Sequence, residues 1–216
     1  MGDAQRFVQV VVKEFPHLAA HYPILISKDS ETGAFFCGAM MGFDEGENLF
    51  LKPGGGQDSY RPLTLQRGPF FSAGSDLAID LDHPRLNDVQ GEPLFNEAGE
   101  PTAYLQSIMA LMCELQPGGA MTRMFLDRLL ELRLIEPIDI NLSFDDGEKR
   151  ELTGLYTIDQ NALRDLPDAD VLELFRRGYL HLIYVMIASL KQISVLARMR
   201  NDRLVAGGGA LPAYER

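Results

Sequence analysis

The chain has 216 residues, 46% hydrophobic and 24% charged, the proportions of a folded globular protein rather than a disordered, collagenous or disulfide-scaffold chain. Its length suits a single domain, taken here as residues 1–200 with a flexible tail at 201–216. With 20 Lys+Arg against 31 Asp+Glu the net charge is -11, which works against nucleic-acid binding or any broad anionic-membrane surface and leaves only a local basic patch.

The N-terminal MGDAQRFVQVVVKEFP carries one short apolar run, Phe7 to Val12, ended by Lys13 and Glu14. Such a run is too short for a signal-peptide core, so a cytoplasmic location is expected. Met1-Gly2 is the start of a myristoylation pattern, but Arg6 stands where that pattern wants Ser or Thr. Short strands are predicted over Phe7–Val12, Ile24–Ser27, Phe35–Met41, Asn48–Leu51, Phe70–Ser72 and Ala78–Leu81, separated by glycine- and proline-bearing turns. Their spacing predicts an antiparallel or mixed β-rich part over about 7–81, barrel-like in outline, and without βαβ alternation a Rossmann fold is disfavoured. Residues 82–101, DHPRLNDVQGEPLFNEAGEP, read as a long loop with Leu94-Phe95 as its apolar anchor.

Two helices are expected next, at about Thr102–Leu115 and Met121–Leu134, joined as a hairpin by Pro117-Gly118-Gly119. Ile138, Ile140, Leu142 and Phe144 alternate with Asp139, Asn141 and Ser143, and Asp146-Gly147 then turns the chain into Lys149–Ile158. This is a β-hairpin signature. Asp159 and Asp168 are expected to cap two short helices, with Gly178 closing the second. The last helix, 179–199, is apolar on nearly every side and is expected to be buried all round, in the core or at a subunit interface that makes the protein a homo-oligomer. Its apolar stretch meets Lys191 and Gln192 after about a dozen residues, short of the roughly 20 needed to span a bilayer. The fold class is therefore α+β: a β-rich half, a loop, a helical hairpin, a β-hairpin and C-terminal helices.

Candidate chemistry is sparse. His17 and His21 have the i, i+4 spacing of paired metal ligands, but Pro23 cuts the helix short and the glutamate of a zinc-protease motif is missing. Asp80, Asp82 and His83 form a dense cluster of acids and histidine, and His181 in the apolar helix is a further candidate base. Together they outline a metal or acid–base site at the rim of the β-rich half. Arg176, Arg177, Arg198 and Arg200, with Arg203 nearby, gather positive charge near the ends of the last helices, where they complement helix dipoles or grip an acidic partner or carboxylate ligand. Lys52-Pro-Gly-Gly-Gly-Gln lacks the GKS or GKT of a phosphate loop and reads as a hairpin tip. Cys37 and Cys113, far apart and without a CxxC pair, are expected to be buried and reduced. No cofactor motif is present: neither GxSxG nor GxGxxG after a strand occurs.

An ordered series of segments carries a resemblance. EFPHLAAHYPILISKD (14–29), GENLFL (46–51), YRPLTLQRGPF (60–70) and DHPRLNDVQGEPLFNEAGEPTAYL (82–105) are followed by LIEPIDINLSFDDGEKRELTGLYTID (134–159) and LFRRGYLHLIYVMIASLKQI (174–193). Together they resemble the bacterial SapC family over about residues 7–198. The resemblance implies an accessory role beside TonB-dependent receptors, flavin-dependent halogenase-like enzymes and cupin-like proteins, and it brings no catalytic motif onto any residue. Three functions are therefore expected in order: a non-enzymatic accessory or binding protein, a metal-dependent enzyme, and a surface-layer or envelope component.

Overall fold

The computed structural model describes residues 3–52, 57–74, 76–83, 85–87 and 90–206. Five strands form one antiparallel sheet in the order β1-β3-β2-β7-β6: β1 is Phe7–Gln9, β2 Ile24–Lys28, β3 Phe35–Met40, β6 Ile135–Ser143 and β7 Lys149–Ile158. β4 (Phe70–Ala73) and β5 (Asp76–Ile79) make a separate two-stranded sheet. The fold is α+β as expected, but the sheet is open and not barrel-like. β1 and β6 are its two edges.

β2 occupies the middle, and three consecutive residues, Ile24, Leu25 and Ile26, are fully buried. Side chains alternate across a strand, so full burial requires cover on both faces. Ile24 and Ile26 enter a core with Phe15, Leu18, Phe125, Leu129, Ile183 and Met186. Leu25 enters a second core with Met40, Phe43, Ile140, Phe144 and Leu196. The predicted hairpin 138–158 is present and does more than predicted: Ile26 and Ser27 of β2 pair with Tyr156 and Leu155 of β7, so it joins the N-terminal strands in one sheet.

The helices are α1 (Phe15–Leu18), α2 (Leu63–Gln66), α3 (Ala103–Glu131), α4 (Gln160–Arg164), α5 (Asp168–Arg176), α6 (Tyr179–Ser189) and α7 (Gln192–Ala206). The expected helical hairpin is instead the single 29-residue α3, about 43 Å long. Pro117 is exposed, and its missing N–H leaves the Cys113 carbonyl, on another exposed residue, without its helical donor. Gly118 is buried against the N-terminal segment: a Cβ there would lie 2.9 Å from Val11 Cγ2. One turn on, Thr122 Oγ1 accepts from the Val12 amide at 3.0 Å and donates to the Gly118 carbonyl at 2.7 Å. This crossing holds the two halves in one rod.

The apolar helix 179–199 is likewise corrected, into α6 and α7 with Leu190 and Lys191 between them. It is not buried all round. α6 gives Ile183 and Met186 to the first core and α7 gives Leu196 to the second. Between them, Ser189 Oγ accepts from the Ile24 amide at 2.9 Å and donates to the Met186 carbonyl at 2.6 Å, fixing where the rod passes the start of β2. Serving two cores explains the wide apolar surface, while His181, Tyr184, Ala188, Lys191, Val195 and Arg198 remain exposed. Residues 201–206, expected in the flexible tail, belong to α7; 207–216 lie outside the described residues, as do Met1-Gly2 and residues 53–56 of the expected hairpin tip.

Smaller departures have local causes. Asn48–Leu51 is a turn instead of a strand, because the Asn48 side chain accepts from the Phe50 amide at 2.9 Å. Asp159 caps α4 through the Asn161 and Ala162 amides, as expected, whereas α5 is preceded by Pro167 and Asp168 is its first residue. Gly178 takes the left-handed conformation (φ 74°) between α5 and α6. In the loop before α3, Leu94 packs against Phe70, Leu105 and Ile108, but Phe95 is exposed. Cys37 is buried and Cys113 exposed, both free, which corrects the expectation that both are buried. Burial pushes the Cys37 thiol up to about 12.

The crossing at Gly118 makes a paired prediction. Glycine inside a helix costs about 1 kcal/mol relative to alanine. At Gly119, where a Cβ would meet nothing within 4 Å, Gly119→Ala should stabilise by up to about 1 kcal/mol in urea unfolding. Gly118→Ala should instead destabilise by about 1–3 kcal/mol, since the stiff Val11 side chain must give way.

Candidate ligand-binding cleft

Two surface clefts stand out. One, about 480 Å³, lies between α2 and α3 and is lined by Arg61, Tyr104 and Glu114 among others. Its charges are already committed: Arg61 pairs with Asp3 at 2.9 Å and Glu114 with Lys13 at 3.8 Å. The other, about 470 Å³, opens between His21, the 49–59 segment and α7. Leu49, Phe50, Leu51 and Met199 give it an apolar lining, and His21, Lys52, Asp58, Ser59 and Arg203 supply polar groups.

Arg203 is exposed at this cleft, and its Nη2 donates to the Leu49 and Leu51 carbonyls at 2.8 and 2.7 Å. Both partners are neutral, and among the described residues Arg203 has no carboxylate partner. Lys52 is paired with Asp58. The cleft therefore combines an apolar lining with a positioned guanidinium whose charge is uncompensated, an arrangement that suits an anion with an apolar body.

A buried polar network holds the cleft's outer wall. Tyr22, fully buried, donates its hydroxyl to the Tyr60 carbonyl at 2.7 Å and accepts from Gln57 Nε2, and its hydroxyl lies 2.6 Å from Ser59 Oγ. Burial pushes its hydroxyl up to about 12, so it keeps its proton. Beneath it, Glu14 is 2% exposed and accepts from the Val11 amide at 3.1 Å, the Leu63 amide at 2.7 Å and the Tyr60 hydroxyl at 3.2 Å. Burial raises the Glu14 carboxyl above its ordinary value, outweighing these donors. Burial and the Glu14 charge raise Tyr60 as well. His17 stacks on Tyr60 at 5.3 Å, and His21 meets the Tyr22 ring edge-on, so the two histidines part to different neighbours.

The sequence-predicted acid and histidine cluster is a turn after β5. The Asp82 amide donates to Asp80 Oδ1 at 3.1 Å, and His83 Nδ1 accepts from the Arg85 amide at 3.1 Å. The small sheet carrying this turn packs on α3 through Phe70, whereas His181 is exposed on α6, which packs on α5, β7, β2 and α1. Among the described residues no group of three or more His, Cys, Asp or Glu side chains could hold a metal ion.

The arginines divide. Arg200 is buried, pairing with Asp44 at 2.5 Å and Glu47 at 3.1 Å and lying over the Phe144 ring. Arg150 pairs with the same Asp44, and the two guanidiniums overcome burial to hold that carboxyl below its ordinary value. Arg177 pairs with Glu173 at 2.9 Å, while Arg176 and Arg198 are exposed and make no ion pair among the described residues. Glu14 escapes sequence reading, its one trace an acid inside the run VVVKEF; Arg203 belongs to the arginine group expected to grip a carboxylate, but its place at a cleft does not show in the sequence.

An open, two-faced antiparallel sheet with a basic-sided apolar cleft is a scaffold suited to binding. Residues 1–196 match the SapC family, and the chain belongs to that family. No curated protein and no solved structure matches.

Glu14 sets a pH dependence. A carboxyl raised by folding stabilises the native state below its unfolded value, about 4.3, and that contribution is lost as pH rises through the folded value. Glu14→Gln should cost about 1–3 kcal/mol, because an amide N–H replaces one acceptor. By urea unfolding the cost should be larger near pH 4 than near pH 7; a cost that grows toward pH 7 would show that the carboxylate is favoured by folding.

Proposed function

We propose that this SapC family protein is a non-enzymatic accessory protein that works by binding, and that its ligand is a carboxylate with an apolar body held in the cleft beside α7. The observation that carries this reading is Arg203, fixed by two carbonyls and, among the described residues, without a carboxylate partner, next to the apolar Phe50 and Met199. A ligand carboxylate supplies the missing charge, and its apolar part covers the lining; hydrogen bonds to charged groups contribute about 1.5–3 kcal/mol each. The family resemblance implies a setting beside TonB-dependent uptake receptors and flavin-dependent halogenase-like enzymes, where small compounds are taken up or processed. An accessory protein that holds such a compound fits it.

The test is calorimetric titration of the full chain with octanoate and with octanamide, which share an apolar body and differ in charge. Octanoate should bind and octanamide should bind at least tenfold more weakly. Arg203→Leu should weaken octanoate by about 10- to 100-fold while leaving octanamide unchanged. Equal binding of the two probes, or no binding of either, overturns the proposal.

A further inference from the structure

Between Leu174 and Asn201 the chain contains no aspartate or glutamate, yet it holds Arg176, Arg177, Lys191, Arg198 and Arg200 in a protein of net charge -11. Arg200 is turned inward to Asp44 and Glu47, while the other four are exposed. They share the surface of α5–α7 with large exposed apolar side chains: Phe175 is 68% exposed, Tyr184 56% and Leu172 46%. Along α6 and α7 the exposed positions His181, Tyr184, Ala188, Lys191, Val195 and Arg198 recur every three or four residues, which places them on one stripe. Tyr179–Val205 is also long and apolar enough by composition to cross a membrane, and only 22% of its most apolar window is buried. Because its inner side supplies both cores, it is anchored in the fold and presents only its outer side.

From this pattern we infer that the outer face of α5–α7 docks on an anionic lipid surface, with Phe175 and Tyr184 entering the headgroup region and Arg176, Lys191 and Arg198 meeting the phosphates. Interleaved aromatic, aliphatic and basic side chains are what such an interface takes up. Charge complementarity decides the occupant. A twofold contact would set this net-positive patch against a second copy of itself, whereas an anionic surface matches its charge. Two exposed acids lie at the ends of the face, Asp168 at the start of α5 and Asp202 four residues after Arg198, while Glu173 is already paired with Arg128 and Arg177. The acidic remainder of the chain is screened beyond about 10 Å at ordinary salt. The inference does not rest on the cleft or on Arg203.

The experiment is sedimentation of the full chain with vesicles of equal parts phosphatidylglycerol and phosphatidylcholine, and with phosphatidylcholine alone, at about 0.1 and 0.5 M salt. Binding should need the anionic lipid and fall at least tenfold at the higher salt. The double variant Arg176→Glu, Arg198→Glu should lower it at least tenfold, and Phe175→Ser several-fold; these side chains are exposed, and unchanged thermal unfolding confirms that the fold persists. Equal recovery with both lipids, no recovery with the anionic one, or binding unmoved by the charge reversals overturns the inference. So does a dimer in analytical ultracentrifugation that Phe175→Ser dissociates, which would assign the face to a second copy.

Discussion

Burial of β2 on both faces is the constraint from which the rest of the architecture follows. A central strand reading Ile-Leu-Ile must be covered above and below, and a chain of this size has few elements with which to do it. The first face is covered by α1, α3 and α6. The second is covered by α7 with the aromatic pair Phe43 and Phe144, whose rings lie 5.4 Å apart. One nearly continuous rod must therefore serve both sides, and the Ser189 hydroxyl at the Ile24 amide fixes where it changes from one core to the other. The cleft is a by-product of that path: α7 reaches the second face beside the 49–51 segment and leaves Met199 and Arg203 at the gap.

The N-terminal segment supplies the second tie. Residues 11–14 lie across α3 at Gly118 and Thr122, then turn so that Glu14 takes the amides of Val11 and Leu63 and the Tyr60 hydroxyl. A carboxyl buried this deeply is costly unless its oxygens are hydrogen-bonded, and here three donors meet it. The same contacts set the position of residues 57–63, and through Tyr22 and Gln57 they place Ser59 at the cleft. Packing of a glycine in a helix is thus linked, through one carboxyl and two tyrosines, to the shape of the surface proposed to bind ligand.

What could be read from the sequence was what local pattern encodes. The alternation from Ile138 to Phe144 with Asp146-Gly147 specifies a hairpin by itself, and Asp159 specifies a cap. The α+β class followed from such signals. What could not be read were outcomes decided by distant partners. Pro117-Gly118-Gly119 carries every local mark of a turn, yet Val11 and Val12, more than a hundred residues earlier, make it the middle of a helix. The apolar 179–199 segment was legible as apolar, but its division between two cores depends on where β2 lies. Asp80, Asp82 and His83 are close in sequence because they share a turn, in which Asp80 accepts the Asp82 amide and His83 the Arg85 amide. The site residues were the least legible part, since Arg203 differs from its neighbouring arginines only in what it does not meet.

The arginines of α7 show how helical phase separates roles that composition merges. Arg198, Arg200 and Arg203 lie within six residues, and all three look alike as helix-terminal cations. Arg200 points inward, where Asp44 and Glu47 neutralise it and Phe144 covers it; a guanidinium so paired is part of the fold, and removing one partner would leave the other charge buried. Arg203 is turned to the cleft and, among the described residues, bonds two carbonyls and no carboxylate. Arg198 faces solvent on the stripe shared with Tyr184 and Lys191. Rotation by 100° per residue thus gives one helix a structural ion pair, a cation at the cleft and a cation on the outer stripe. The chain's overall acidity makes the last two conspicuous: carboxylates outnumber basic groups, yet among the described residues these two arginines meet none.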